Sequence, residues 1–233
     1  MKNHNPALTL RALGALLGYP SADLRAVLPQ IADLLAESQQ QGLLTRSRAD
    51  ELAGLIRWMG GADAFEVEAH YVDTFDRGRA TSLHLFEHVH GDSRERGPAL
   101  VDLQQTYERA GLLLQDSGEL PDHLPIVLEF ASTQPPKLAR EFLGEITHIL
   151  TAVFSALRER DNAYASVVAA VLEIAGQRVQ SVPVAPDPAL DEAWAEPPAF
   201  DGCSTRGQAR PDTPQPIQIV RRNATPQHQG AQA

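Results

Sequence analysis

Three histidines and a run of charges crowd residues 81–97, TSLHLFEHVHGDSRERG. Within them His84, Glu87 and His88 spell H-x-x-E-H. In one class of hydrolases that pattern puts two imidazoles on a zinc ion, with the carboxylate beside it as base. Positions four apart on a helix share a face, so the spacing permits the chemistry. Three features weigh against it. A catalytic zinc needs a third protein ligand, and Glu141, Glu145 and His148 stand far along the chain with nothing to bring them near. Leu83, Leu85, Phe86 and Val89 occupy the same segment, and at 3.6 residues per turn they compete for the ligand face. The segment is also short, bounded by Arg79 and Gly91. A zinc-dependent hydrolase using His84, Glu87 and His88 is therefore kept as the alternative reading. The expectation is no metal, with His88 and His90 bonded to carboxylates or backbone.

Other catalytic patterns are weaker still. No glycine-rich phosphate loop follows a strand, and no G-x-S-x-G elbow occurs. The single cysteine, Cys203, stands in a tail where no fixed base activates a nucleophile. Arg77, Arg79, Arg94 and Arg96 could hold a phosphate or pterin anion. Asp76, Glu87, Asp92 and Glu95 are close enough in sequence to pair with them instead, which is the usual fate of mixed charge runs.

A formal charge of −10 over 233 residues argues against a nucleic-acid binder, which needs a basic surface to neutralise phosphates. It favours a basic partner such as a cationic peptide. One cysteine allows no internal disulfide, as expected in a reducing cytoplasm. The opening MKNHNPALTLRALGALLGYP lacks a signal-peptide pattern, and no run reaches the ~18–20 apolar residues that span a bilayer. The expectation is a cytoplasmic protein without stable membrane insertion.

Helical periodicity dominates the elements that must position any site. Leu24, Val27, Leu28, Ile31, Leu34 and Leu35 follow i, i+3, i+4, i+7 spacing, with Ser21 as N-cap. Helices are also expected over 43–59 and over 62–76, the latter with Phe65, Ala69, Val72 and Phe75 inward. A further helix is expected from Pro98 to about Gln115, carrying Leu100, Leu103, Tyr107, Ala110 and Leu114 on one stripe. Asp122 reads as the cap of the next, with Pro125 in its first turn. One long helix should run from Pro135-Pro136 to about Arg160. The segment 164–179 is apolar almost all round, as in a helix buried on several sides. Clean strand alternation is not found.

After Gln180 the composition changes: nine of the 17 prolines fall within 181–233. Residues 181–201 carry five acids and no base; residues 202–233 carry four arginines and one acid. The expected organisation is a helical domain over 1–180 and a Pro-rich tail over 181–233, acidic then basic. Trp194 and Phe200 are the tail's candidate docking residues.

The stretch YVDTFDRGRATSLHLFEHVHGDSRERGPALVDL, residues 71–103, resembles the NarJ family of assembly chaperones for respiratory, molybdenum-containing nitrate reductase. The resemblance continues through LPDHLPIVLEF at 120–130 and returns in DEAWAEPPAF before Gly202-Cys203. The family tends to carry an aliphatic residue where this chain has His84, which makes the first histidine of H-x-x-E-H incidental. The resemblance implies an all-α fold: a single TorD-like helical domain of about eight to ten helices with an extended Pro-rich C-terminal tail. It implies a cytoplasmic chaperone rather than a catalyst. Its partner would be the N-terminal segment of the nitrate reductase catalytic (alpha) subunit, within the apo-enzyme complex. It would keep that enzyme competent for insertion of molybdopterin-guanine dinucleotide and delay its membrane attachment, binding no cofactor permanently itself.

On that reading, apolar anchors of a client peptide enter a groove and carboxylates on its rim meet peptide cations. The candidates are Tyr71, Phe75, Asp76, Phe86, Glu87, Asp122, His123, Leu124 and Glu129.

Overall fold

A computed structural model describes residues 5–91, 93–114 and 118–183. Among them the chain forms ten α-helices and no named strand. They are α1 (Ala7–Leu16), α2 (Ala22–Gln40), α3 (Arg46–Gly61), α4 (Ala64–Phe75), α5 (Leu85–His90), α6 (Arg96–Arg109), α7 (Leu124–Thr133), α8 (Pro136–Glu145), α9 (Thr147–Glu159) and α10 (Ala165–Ile174). The all-helical fold agrees with the expectation. No described helix is long and apolar enough to cross a membrane. The expected tail contacts at Trp194 and Phe200, and Cys203, lie outside the described residues.

Helix starts follow local chemistry. Ser21 caps α2 by accepting from the Leu24 N–H, and Thr45 caps α3 by accepting from Arg48. Thr45 is itself fixed: its N–H and hydroxyl both donate to Glu173, which also takes Arg48 Nε at 3.2 Å. That cluster pins the start of α3 to the end of α10.

α10 is the centre of the core. Nine of its ten residues are buried, all but Glu173. It packs against α9, α3, α1 and α8, and its surface is apolar to match, save for Ser166, whose hydroxyl donates to the Ala163 carbonyl. α1 lies across α7. At Gly14 the two helices come within ordinary contact distance: a Cβ there would meet the Pro125 carbonyl at 3.4 Å and Leu128 Cβ at 3.5 Å.

Three expectations need correction. The long helix over 135–160 is broken at Ile146, whose φ and ψ are −98° and 6°. The Thr147 hydroxyl donates to the Gly144 carbonyl at 2.8 Å, so a side chain takes over an acceptor that the helix ladder would otherwise use. In α4 the apolar face is out of phase. Val67, Tyr71, Thr74 and Phe75 are buried, whereas Phe65 is 77% and Val72 36% exposed, and Ala69 faces water too. The helix carries two stripes at helical spacing. The inner one wins because its polar tips find partners: Tyr71 donates to the Leu17 carbonyl, and Thr74 accepts from Asn162. In α6 the stripe read from the sequence is largely unburied; only Tyr107 is fully enclosed.

Candidate functional site

The block that opened the sequence reading is held by a short exchange with the start of α7. Leu85 donates to the Asp122 carbonyl at 3.1 Å and Leu124 to the Leu83 carbonyl at 2.9 Å. His84 and His123 thus form an isolated antiparallel bridge. The Asp122 side chain, fully buried, accepts from the Phe86 N–H at 2.9 Å. The sequence reading gave Asp122 to α7 as its cap. Instead it caps α5, across the junction, and α7 starts at His123 with no side-chain cap. The cause is the bridge, which turns the carboxylate toward the neighbouring helix.

Around this junction the charges are coupled. The other Asp122 oxygen lies 3.5 Å from His84 Nδ1, and neither atom has a hydrogen-bond partner. Asp122 beside it holds the His84 imidazolium up, against the opposing effect of burial. Burial raises the Asp122 carboxyl, but His84, the Phe86 N–H and Arg96 together carry it below its usual range. His123 is pushed down, first by burial and also by His84, despite Glu119, Asp122 and Asp76 nearby. Its Nδ1 is 3.7 Å from Glu119, and its ring sits 5.1 Å from that of His84.

The zinc geometry does not form. His84 precedes α5 rather than sharing its face with His88. His88 Nε2 bonds the Ser82 carbonyl at 2.9 Å, and Glu87 pairs with Arg96 at 3.2 Å. Among the described residues no group of three or more His, Cys, Asp or Glu side chains is placed to hold a metal. The arginines expected to pair do so in part: Arg96 with Glu87, and Arg77 with Asp73 rather than Asp76.

The other candidates divide into two places. Tyr71 and Phe75 are buried, their rings 4.9 Å apart, and both meet the Tyr164 ring edge-on. Leu124 is also closed off from water, and Phe86 is half-buried against the core. Asp76 is exposed at the end of α4, close enough to His123 to act on it electrostatically. Glu129 is far more open, its side chain 70% exposed and 3.9 Å from Arg11.

Glu129 marks an opening the sequence reading did not outline. A groove of about 480 Å³ lies between α7 and the segment after α6, lined by Tyr107, Leu112, Leu113, Leu114, Ile126 and Phe130. A second hollow of about 400 Å³ continues along α1 and α7, over Gly14, Ala15, Gly18 and Pro125. Arg11, Ile126 and Glu129 line both. The helix expected to run to about Gln115 ends at Arg109 instead, which leaves Leu112, Leu113 and Leu114 outside it, just after Gly111. Leu113 is 82% exposed. Tyr107 closes the groove's floor: its ring lies 4.6 Å from Phe130 and its hydroxyl donates to the Pro121 carbonyl.

An apolar channel between helices, with one carboxylate and one guanidinium at its lip, is what a helical peptide-binding scaffold offers. Comparison with known proteins shows the family. The sequence model of the nitrate reductase delta subunit family matches residues 19–170. The nitrate reductase molybdenum cofactor assembly chaperone NarJ of Escherichia coli K12 is 38% identical over 213 residues, covering 91% of this chain and 81% of that protein. The probable chaperone of the same name in Bacillus subtilis strain 168 is 33% identical over 184 residues, 76% of this chain and 95% of that one. The chain therefore belongs to the nitrate reductase delta subunit family. A putative redox enzyme maturation protein from Archaeoglobus fulgidus superposes with a TM-score of 0.49 at 20% identity, over 73% of this chain and 94% of that one; so distant a likeness adds nothing to the assignment.

Proposed function

We propose that this chain is an assembly chaperone for nitrate reductase that works by binding and performs no bond-making of its own. In the cytoplasm it takes the N-terminal segment of the reductase's catalytic subunit. It keeps the apo-enzyme open for insertion of the molybdenum cofactor, which is cargo for the client, and it delays membrane attachment until loading is complete. Family membership supports the client and the cofactor step. The groove between α1, α7 and the 112–114 segment supports the mode of binding, and it is the single observation that carries the reading.

The groove's chemistry sets the terms. Leu112, Ile126 and Phe130 offer apolar contact along one side of an amphipathic helix. Glu129 is exposed and only loosely held by Arg11, so a peptide cation can compete for it. Such rim pairs are worth about 0.2–1 kcal/mol each, so apolar anchors set the affinity and charge steers the encounter. Tyr71, Phe75, Asp122 and Leu124 act from beneath, holding the helices that shape the groove, because they are closed off from solvent.

Calorimetry with a synthetic peptide of the catalytic subunit's N-terminal segment tests this. The expected result is saturable one-to-one binding that weakens at least severalfold on Ile126→Ser, measured at a temperature where the variant is folded. No heat of binding, or binding indifferent to Ile126→Ser, contradicts the groove. Failure of the chain to co-purify with unloaded reductase contradicts the client.

A further inference from the structure

The outward stripe of α4 is not accounted for by the groove. Phe65, Ala69 and Val72, at i, i+4 and i+7, form a ridge that faces water along the helix. Phe65 is 77% exposed, an uncommon position for a large aromatic ring that contributes nothing to the core. At 100° per residue Glu68 flanks this ridge on one side and Glu66 and Asp73 on the other, with Asp76 at its end. Arg77 is paired with Asp73 at 3.0 Å. Even with that pair counted as neutral, the face keeps three carboxylates around an apolar strip.

The contrast with the groove defines the ligand. The groove carries one acid and one base at its lip, and selects mainly by apolar fit. The α4 face is convex, strongly acidic and apolar along its crest. We propose that it is a second docking surface, and that its partner is a basic amphipathic helix. The apolar side of that helix lies on Phe65 and Val72, and its Lys or Arg residues reach the flanking carboxylates. Ala69, between them, lets the partner's backbone come close. The two anchors contribute the contact area, while the carboxylates fix orientation and raise the association rate. This surface is independent of the groove and does not require the peptide-binding reading to hold.

The test uses the full chain and a fluorescein-labelled 18-residue Leu/Lys amphipathic helix as probe, followed by anisotropy. Phe65→Ser with Val72→Ser should weaken binding roughly tenfold at unchanged melting temperature, since two exposed anchors are lost and no charge changes. Because the proposed groove also takes a cationic amphipathic helix, parent and double variant are compared a second time with Ile126→Ser in both; the roughly tenfold difference should persist, since the two surfaces share no residue. Four results overturn the proposal. The double variant binds as the parent does. A scrambled peptide of equal charge binds equally, which reduces the effect to net charge. The parent sediments as a dimer that the double variant dissolves, which makes the occupant a second copy. Ile217→Ser with Ile219→Ser, the aliphatic pair of PIQIV in the arginine-bearing 202–233 half of the tail, raises probe affinity, which makes the occupant the chain's own C-terminal segment.

Discussion

α10 and α6 are both helices, of 10 and 14 residues, and they spend their side chains in opposite ways. α10 buries every residue but Glu173, and that residue ties down α3. α6 encloses only Tyr107 and leaves the rest of its surface half-open or open. The difference separates what holds this protein together from what it can offer a partner. Stability is concentrated where α10 meets α9, α3, α1 and α8. On the grooved side α7 is firmly packed, six of its ten residues buried and its main partner α1, whereas α6 and the 112–114 segment keep apolar surface uncovered.

The largest expected effect tests the α10 side. Leu172→Ala deletes a fully buried side chain and should cost about 2–5 kcal/mol in urea unfolding, with peptide affinity unchanged at temperatures where the variant is folded. A loss of affinity in the folded variant would mean that core and groove are not separable.

Next comes the junction between α5 and α7. Asp122→Ala strands the Phe86 N–H and removes the partner of His84, and should cost about 1–3 kcal/mol. Its pH dependence follows from the two groups. Asp122 titrates low in the folded state, so its contribution is present above its unfolded value and is lost as pH falls through the folded one. His84 titrates high, so its contribution is full below its unfolded value and is lost as pH rises through the folded one. His123, pushed down, opposes His84: it favours the folded state above its unfolded value and disfavours it as pH falls. Melting temperature should therefore drop toward strong acid in the parent, and Asp122→Ala should flatten that acid limb. An acid limb unchanged by the substitution contradicts the coupling.

Tyr107→Phe keeps the ring on Phe130 and removes only the bond to the Pro121 carbonyl, so about 1 kcal/mol is expected. Hydrogen exchange should rise in α6 first, since no other residue of that helix is fully enclosed. Uniform change across the chain would show that α6 is not a separately fastened piece. The smallest stability effect belongs to Glu129→Lys, within about 0.5 kcal/mol, because both partners of its ion pair are more than half exposed. Its effect on a cationic peptide should be larger, a severalfold loss, since attraction becomes repulsion.

The sequence made the apolar helices easy to read. Ser21 starts α2, and Leu28, Ile31 and Leu35 of its stripe are buried, though Val27 at the stripe's edge is exposed; the all-round apolar character of α10 translates directly into burial. Phase and partner were harder. α4 carries two stripes at the same spacing, and only the positions of Leu17 and Asn162 decide which is inside. The spelling H-x-x-E-H assumed a continuous helix, but the bridge to His123 holds position 84 outside α5. Asp122 was recognised as a cap and assigned to the wrong helix, because capping across a junction leaves no local spacing to see. Of the candidate peptide contacts, Glu129 lines the groove; the rest of that lining comes from Arg11, Tyr107, Leu112–Leu114, Ile126 and Phe130. Arg11 reaches the groove because α1 crosses α7, and the others, all within 107–133, face one another where Tyr107 packs on Phe130.

The central claim is that the uncovered groove, and not a catalytic centre, is where this protein acts on its client. The most direct measurement is calorimetric titration of the parent chain and of Ile126→Ser with the catalytic subunit's N-terminal peptide. One-to-one binding by the parent is expected, and at least severalfold weaker binding by the variant at a temperature where both are folded. Equal binding by the two proteins, or none by the parent, would contradict it.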